Sequence, residues 1–211
     1  MSTVDLPAVQ RLSLGSAGIS MTLDEFDSVT DWDKDYNYEL IHGVLVVTPF
    51  AGPPELFPND LLGHRLREYQ EQTAPSSPLI STVYEFYLTA GENRRRADRV
   101  VWTKVGSQGA DPASTFPTIV IEFVSAGKAA WRRDHIEKRD EYLAAGAREY
   151  WVFDRFARTL TVSAIKGGTA VETIIHEKES YSTDLLPGFE LRLAELLAAA
   201  DQWGEKNPPS E

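Results

Sequence analysis

The chain has 211 residues, with 21 Lys and Arg against 32 Asp and Glu, a formal charge of −11. It contains no cysteine, which excludes disulfide frameworks, thiolate zinc sites, iron–sulfur clusters and cysteine nucleophiles. No apolar run approaches the ~18 residues of a membrane span, and no basic-then-apolar leader opens the chain, so a cytoplasmic protein of one globular domain without membrane contact is expected.

Residues 1–20 carry Ser, Gly and Ala without periodicity and read as a loose N-terminal extension. Thr22 and Glu25 form a capping-box pattern, so a short helix is predicted from Leu23 to Ser28. Tyr38–Thr48 reads as two strands around His42-Gly43, an N-terminal hairpin. Pro49, Pro53, Pro54 and Pro58 are expected to break regular structure. Asn59 or Asp60 then caps a helix through Leu62, Leu66 and Tyr69. Leu79–Leu88 and Arg95–Thr103 are predicted strands, and Lys104–Pro117 a long loop.

Thr118–Val124 (TIVIEFV) is almost continuously apolar, as a strand buried on both faces would be. A helix from about Ala130 to Ala145, ended by Gly146, separates it from a second strand, Glu149–Asp154. This strand–helix–strand order predicts a βαβ unit with parallel strands. Thr159–Ile165 and Val171–Glu177 flank Gly167-Gly168 as a C-terminal hairpin, and Leu191–Ala200 is a terminal helix. The expected organisation is one domain over residues 21–200 with a polar tail over 201–211, in the α/β class with a mixed sheet flanked by helices.

Four residues stand out chemically. Glu122 interrupts the apolar strand, and a buried charge costs several kcal/mol unless it is paired or binds a metal. Asp98 lies on the returning strand after Arg94-Arg95-Arg96, where Asp is disfavoured. Carboxylates on neighbouring strands repel unless a cation neutralises them, and oxygen ligands of this kind suit Mg²⁺ or Mn²⁺. Lys138 shares a stripe with Trp131, His135 and Tyr142 and is a candidate fixed cation beside such a site. Glu39 sits among apolar neighbours and is a candidate third carboxylate. The plainer alternatives are a place near the strand end, reaching solvent or a salt bridge, for Glu122, pairing of Asp98 with an adjacent arginine, a surface position for Lys138 and an edge-strand charge for Glu39. Arg94–Arg96 with Arg99, and Arg132-Arg133 with Lys138-Arg139, are the local basic clusters. If they converge, they make a positive rim that a nucleic-acid ligand requires despite the acidic average.

YELIHG, RRADRVVW, PTIVIEFVS, RRD…K…Y…G…EYWVFD and LLPGFELRLAELL occur in that order. Together they resemble the Uma-two family of restriction endonucleases, of the P-D…(D/E)-x-K nuclease superfamily, from about Met21 to Ala198. The resemblance implies a restriction-endonuclease-like core. It also implies a metal-binding aspartate at Asp98 (with Ala97 in place of the proline), a second acidic ligand at Glu122, and an early glutamate at Glu39. The superfamily lysine falls at Val124, and Lys138 on the following helix is the matching substitute. Where family members carry a histidine at the start of the first long helix, PPELFPND has none. The implied activity is Mg²⁺- or Mn²⁺-dependent endonucleolytic cleavage of DNA by a homodimer. The alternative is an inactive nuclease-fold module that binds or regulates a partner.

Overall fold

The structure is a computed structural model and describes residues 11–104, 112, 114–127 and 131–203. The first residue of the helix expected from Ala130, and the tail from position 204, lie outside the described residues. The chain folds into two compact units, one made of Met1–Phe50 with Tyr87–Arg96 and the other of Ala51–Phe86 with Ala97–Glu211.

In the first unit, Leu23–Ser28 forms helix α1. Its capping box is as predicted: the Glu25 N–H donates to Thr22 Oγ1 at 3.2 Å, and the Thr22 N–H donates to Glu25 Oε2 at 2.7 Å. Strands β1 (Tyr36–Ile41) and β2 (Val44–Pro49) pair antiparallel. Their turn is His42-Gly43, with φ of 49° and 73°, the left-handed pair that tight hairpins need. Leu12, Met21, Val29, Tyr38, Leu40 and Leu45 form a core. Leu12 is therefore part of packed structure although the sequence around it has no periodicity. Its N–H donates to the Asp31 carbonyl at 3.0 Å, and its carbonyl accepts from the Asp33 N–H at 2.8 Å.

The second unit begins with helix α2, Pro53–Gln72, seven residues longer at its N-terminus than a start after Asn59 allows. Prolines were expected to stop a helix here. Pro53 and Pro54 instead open it, because the first N–H groups of a helix have no intrahelical partner to lose. Glu55 supplies the missing cap, accepting from the Gly52 N–H at 2.8 Å. Only Pro58 lies inside the helix, and it forfeits one hydrogen bond.

Strands β3 (Leu79–Ala90) and β4 (Asn93–Thr103) form a long hairpin whose tip belongs to the first unit. In the second unit β4 pairs antiparallel with β5 (Ile119–Phe123). A π-helical stretch, Arg133–Glu137, runs into helix α3 (Lys138–Ala145), which ends at Gly146 with φ of 118°. Strand β6 (Glu149–Asp154) lies parallel to β5, from Ile119 opposite Glu149 to Phe123 opposite Phe153. The predicted βαβ unit is thus present. Strands β7 (Thr159–Lys166) and β8 (Thr169–His176) complete the expected C-terminal hairpin. Short strands β9 (Ser180–Tyr181) and β10 (Leu191–Arg192) precede helix α4 (Leu193–Asp201). Leu62 and Leu66 of α2, Ile119, Ile121 and Phe123 of β5, Trp151 and Phe153 of β6, and Leu193, Leu196 and Leu197 of α4 share one core. The result is a mixed sheet with helices packed on it.

Arg99 on β4 is buried against α2. Its guanidinium donates to Asn59 Oδ1 at 2.7 Å, to the Asn59 carbonyl at 2.9 Å and to Thr82 Oγ1 at 3.1 Å. Burial among neutral acceptors pulls its pKa down to about 10. The guanidinium occupies the space above Gly63, where a Cβ would stand 2.4 Å from Nη2. Gly63→Ala is therefore expected to destabilise the protein by about 1–2 kcal/mol, overpacking outweighing the gain in helix propensity. Urea unfolding with an unchanged m-value would show it.

Candidate active site

The site grows out of β5, whose five residues are all buried. Four are apolar, and the fifth is Glu122, 2% exposed. An ionised carboxylate there needs a partner. Lys138, 3% exposed, provides it, with Nζ 2.9 Å from Glu122 Oε1. The Tyr142 hydroxyl donates to the same oxygen at 3.2 Å. Lys138 is thus a buried residue and not a surface lysine, and Glu122 is salt-bridged.

The helix following β5 makes this possible. The Lys138 N–H bonds to the Arg133 carbonyl five residues back, so the first turn is wider than the uniform α-helix the sequence suggested. Short π segments of this kind recur at functional sites. Asp134, Lys138 and Tyr142, at spacings of four, are buried, whereas Trp131 at the head of the predicted stripe is exposed. Asp134 Oδ1 lies 3.8 Å from Lys138 Nζ and accepts from Arg133 Nε at 3.0 Å. The Tyr150 hydroxyl of β6 donates to the Asp134 carbonyl at 2.7 Å and ties the turn to the sheet. Asp134 escaped the sequence reading. Its four-residue spacing from Lys138 was the available signal.

Asp98 enters from β4. The register pairs Arg99 with Ile121, so the next step brings Asp98 level with Glu122, and opposed residues project to the same face. Asp98 Oδ2 accepts from the Phe123 N–H at 2.7 Å. Its own carbonyl accepts from Asn59 Nδ2 at 3.0 Å, which anchors this part of β4 to α2. Burial pushes the Asp98 carboxyl above the ordinary range; the nearby Asp134 charge adds to this, while Lys138 and the Phe123 N–H oppose it. Glu55, the cap of α2, is likewise raised, first by burial and also by the charges of Asp98 and Asp134. Glu55 therefore belongs to the same electrostatic cluster. The sequence hid it because α2 was expected to start after it.

Glu39 lies in the other unit. It is buried, with Oε1 accepting from the Arg96 N–H at 2.9 Å and Oε2 4.0 Å from Arg95 Nη1. Arg95 and Arg99 are both buried, so the cluster Arg94–Arg99 does not form a positive surface strip as a whole. Val124, at the position of the superfamily lysine, is buried, and its N–H donates to the Phe153 carbonyl at 2.9 Å.

The profile of the family described as "Uma2: Putative restriction endonuclease" matches residues 23–194. The chain belongs to the Uma2 family. Among solved structures, a putative nuclease of the DUF820 group from Anabaena variabilis ATCC 29413 superposes with a TM-score of 0.68 at 14% identity, covering 85% of this chain and 99% of that one. At that identity the likeness shows a shared fold. A search of curated proteins gave no match.

Among the described residues no group of three or more His, Asp or Glu side chains is arranged to hold a metal ion. The donors that Asp98 and Glu122 present are hard carboxylate oxygens, and burial disfavours the charged form of Asp98. That chemistry fits Mg²⁺ or Mn²⁺, since Mg²⁺ is commonly held by one or two carboxylates with waters and substrate phosphate completing its shell.

Two outcomes follow for this Uma2 chain. Because the folded Asp98 titrates above its ordinary value of 3.8, the folded state holds the proton to higher pH than the unfolded chain. The cost of ionising it is absent below that value and grows as pH rises to the folded pKa. Asp98→Asn is therefore expected to raise Tm at pH 7 by a few degrees (about 2–4 °C per kcal/mol at this size) and to lose that advantage at pH 3, by calorimetry. Lys138→Met leaves Glu122 and Asp134 buried without their cation and is expected to cost about 3–5 kcal/mol. The double variant with Glu122→Gln should recover part of the loss in urea unfolding.

Proposed function

We propose that this protein is a Mg²⁺- or Mn²⁺-dependent endonuclease that hydrolyses phosphodiester bonds of DNA at Asp98 and Glu122. The observation that carries the reading is the meeting of two carboxylates from adjacent antiparallel strands with a buried lysine from the next helix. Asp98 and Glu122 are the residues that would hold the metal. When bound, such an ion lowers the pKa of an attacking water and polarises the phosphate. The protein's own contribution is electrostatic. Lys138, held by Glu122 and Asp134, is a fixed positive charge able to orient the water or stabilise charge developing on the phosphoryl oxygens. The Phe123 N–H fixes Asp98 Oδ2, and Tyr142 and Tyr150 hold the surrounding groups in place. Glu39 has no step in this scheme.

One observation favours the second reading, an inactive binding module. Lys138 Nζ sits on Glu122 Oε1 at 2.9 Å, so an internal cation already satisfies one of the ligand oxygens. Calorimetric titration of Mn²⁺, alone and with a DNA duplex, together with a plasmid-nicking assay separates the two. The nuclease reading expects Mn²⁺ binding by the wild type that Asp98→Asn abolishes, and metal-dependent nicking lowered at least 100-fold by Asp98→Asn and by Glu122→Gln. Nicking that survives both substitutions, or neither metal binding nor nicking in any arm, overturns it.

A further inference from the structure

Trp131 stands at the start of the helical segment that carries Asp134 and Lys138, and it is 44% exposed. One face of its indole is covered by His135, stacked with ring centroids 4.7 Å apart and an interplanar angle of 22°. His135 is itself braced from the sheet. Its side chain is 12% exposed, with Nε2 3.6 Å from Asp154 Oδ2 at the end of β6. Asp154 is held by its other oxygen, which accepts from the N–H groups of Phe156 and Ala157 at 2.9 Å each. A rigid chain of contacts thus runs from the strand parallel to β5 through Asp154 and His135 to the indole. In this way a large, partly exposed aromatic ring is supported from the sheet.

At 44% exposure the indole is one of the large apolar side chains left outside the core among the described residues. Its neighbours along the chain are guanidinium groups, each paired with a carboxylate. Arg132 follows it with a side chain 73% exposed, within 3.5 Å of Glu137, and Arg133 lies against Asp134. An aromatic face beside a guanidinium is a combination that receives a base and its flanking phosphate. Along the helix Trp131 is about 10 Å from Lys138 at the ordinary rise, one or two nucleotides along a strand from a phosphate at the carboxylates. A net charge of −11 also works against tracking a long duplex by its phosphates, whereas stacking needs little charge.

We propose that the exposed face of Trp131 is a stacking platform for an unpaired nucleobase, so that the substrate of the site is single-stranded or locally unpaired nucleic acid. This rests on the nuclease reading for the placement of the strand. Its test is independent of cleavage. Fluorescence anisotropy would follow binding, in EDTA, of labelled dT12, of a blunt hairpin duplex and of the same duplex with one bulged thymine. The platform predicts tighter binding of dT12 and of the bulged duplex than of the blunt hairpin. It also predicts that Trp131→Ala weakens both by about tenfold or more, that Trp131→Phe retains most of the affinity, and that blunt-duplex binding is unchanged. Equal binding of dT12 by wild type and Trp131→Ala, equal losses on all three probes, or no binding of dT12 by the wild type overturns it. If the platform behaves as predicted while no nucleic acid is cut with Mg²⁺ or Mn²⁺, the stacking site stands and the catalytic assignment falls.

Discussion

The ion pair between Lys138 and Glu122 is the constraint around which the second unit is arranged. A charge in the middle of a five-residue buried strand is tolerable only with an opposite charge delivered to it at hydrogen-bonding distance. That delivery requires the helix after β5 to cross the sheet with one particular side chain pointing down. The βαβ crossover, the widened first turn and the two tyrosine hydroxyls all serve this placement. Replacing the pair with apolar residues of similar size is a route to greater stability in other proteins.

Asp98 adds a second carboxylate beside a strand that already holds one, and the protein bears the electrostatic cost. Its raised pKa, and that of Glu55, are consequences of burial and of the neighbouring charge of Asp134. Groups perturbed in this way concentrate at functional sites. The family match points in the same direction.

Much of this was legible in the residues. Strands β5 and β6 announce themselves by apolar runs, broken in β5 only by Glu122, and the Thr22 capping box and the His42-Gly43 turn carry local chemistry that tertiary contacts did not override. Glu122 was visible because a lone charge in TIVIEFV has to be explained. Three features were not legible. The start of α2 was hidden because prolines were taken as breakers, although two of them fit a first turn, and Glu55 was lost with it. Asp134 stands outside the stripe of Trp131, His135, Lys138 and Tyr142, and its contacts with Lys138 and the Tyr150 hydroxyl come only with the fold. The basic run Arg94–Arg99 looked like surface charge, but alternation along β4 buries Arg95 and Arg99, and only the partners across the strand reveal it.

The long β3–β4 hairpin has a bearing on how the gene can be divided. Its tip supplies part of the first unit while its base belongs to the second, so the first unit is not encoded contiguously. A break after Phe50 would release a fragment lacking the strand that contributes Arg95 and Arg96 to Glu39, and would leave the remainder with a tip that has lost its cofolding chain. Neither unit, so divided, corresponds to a single stretch of coding sequence of its own. An exchange that moves the first unit whole has to carry both of its segments.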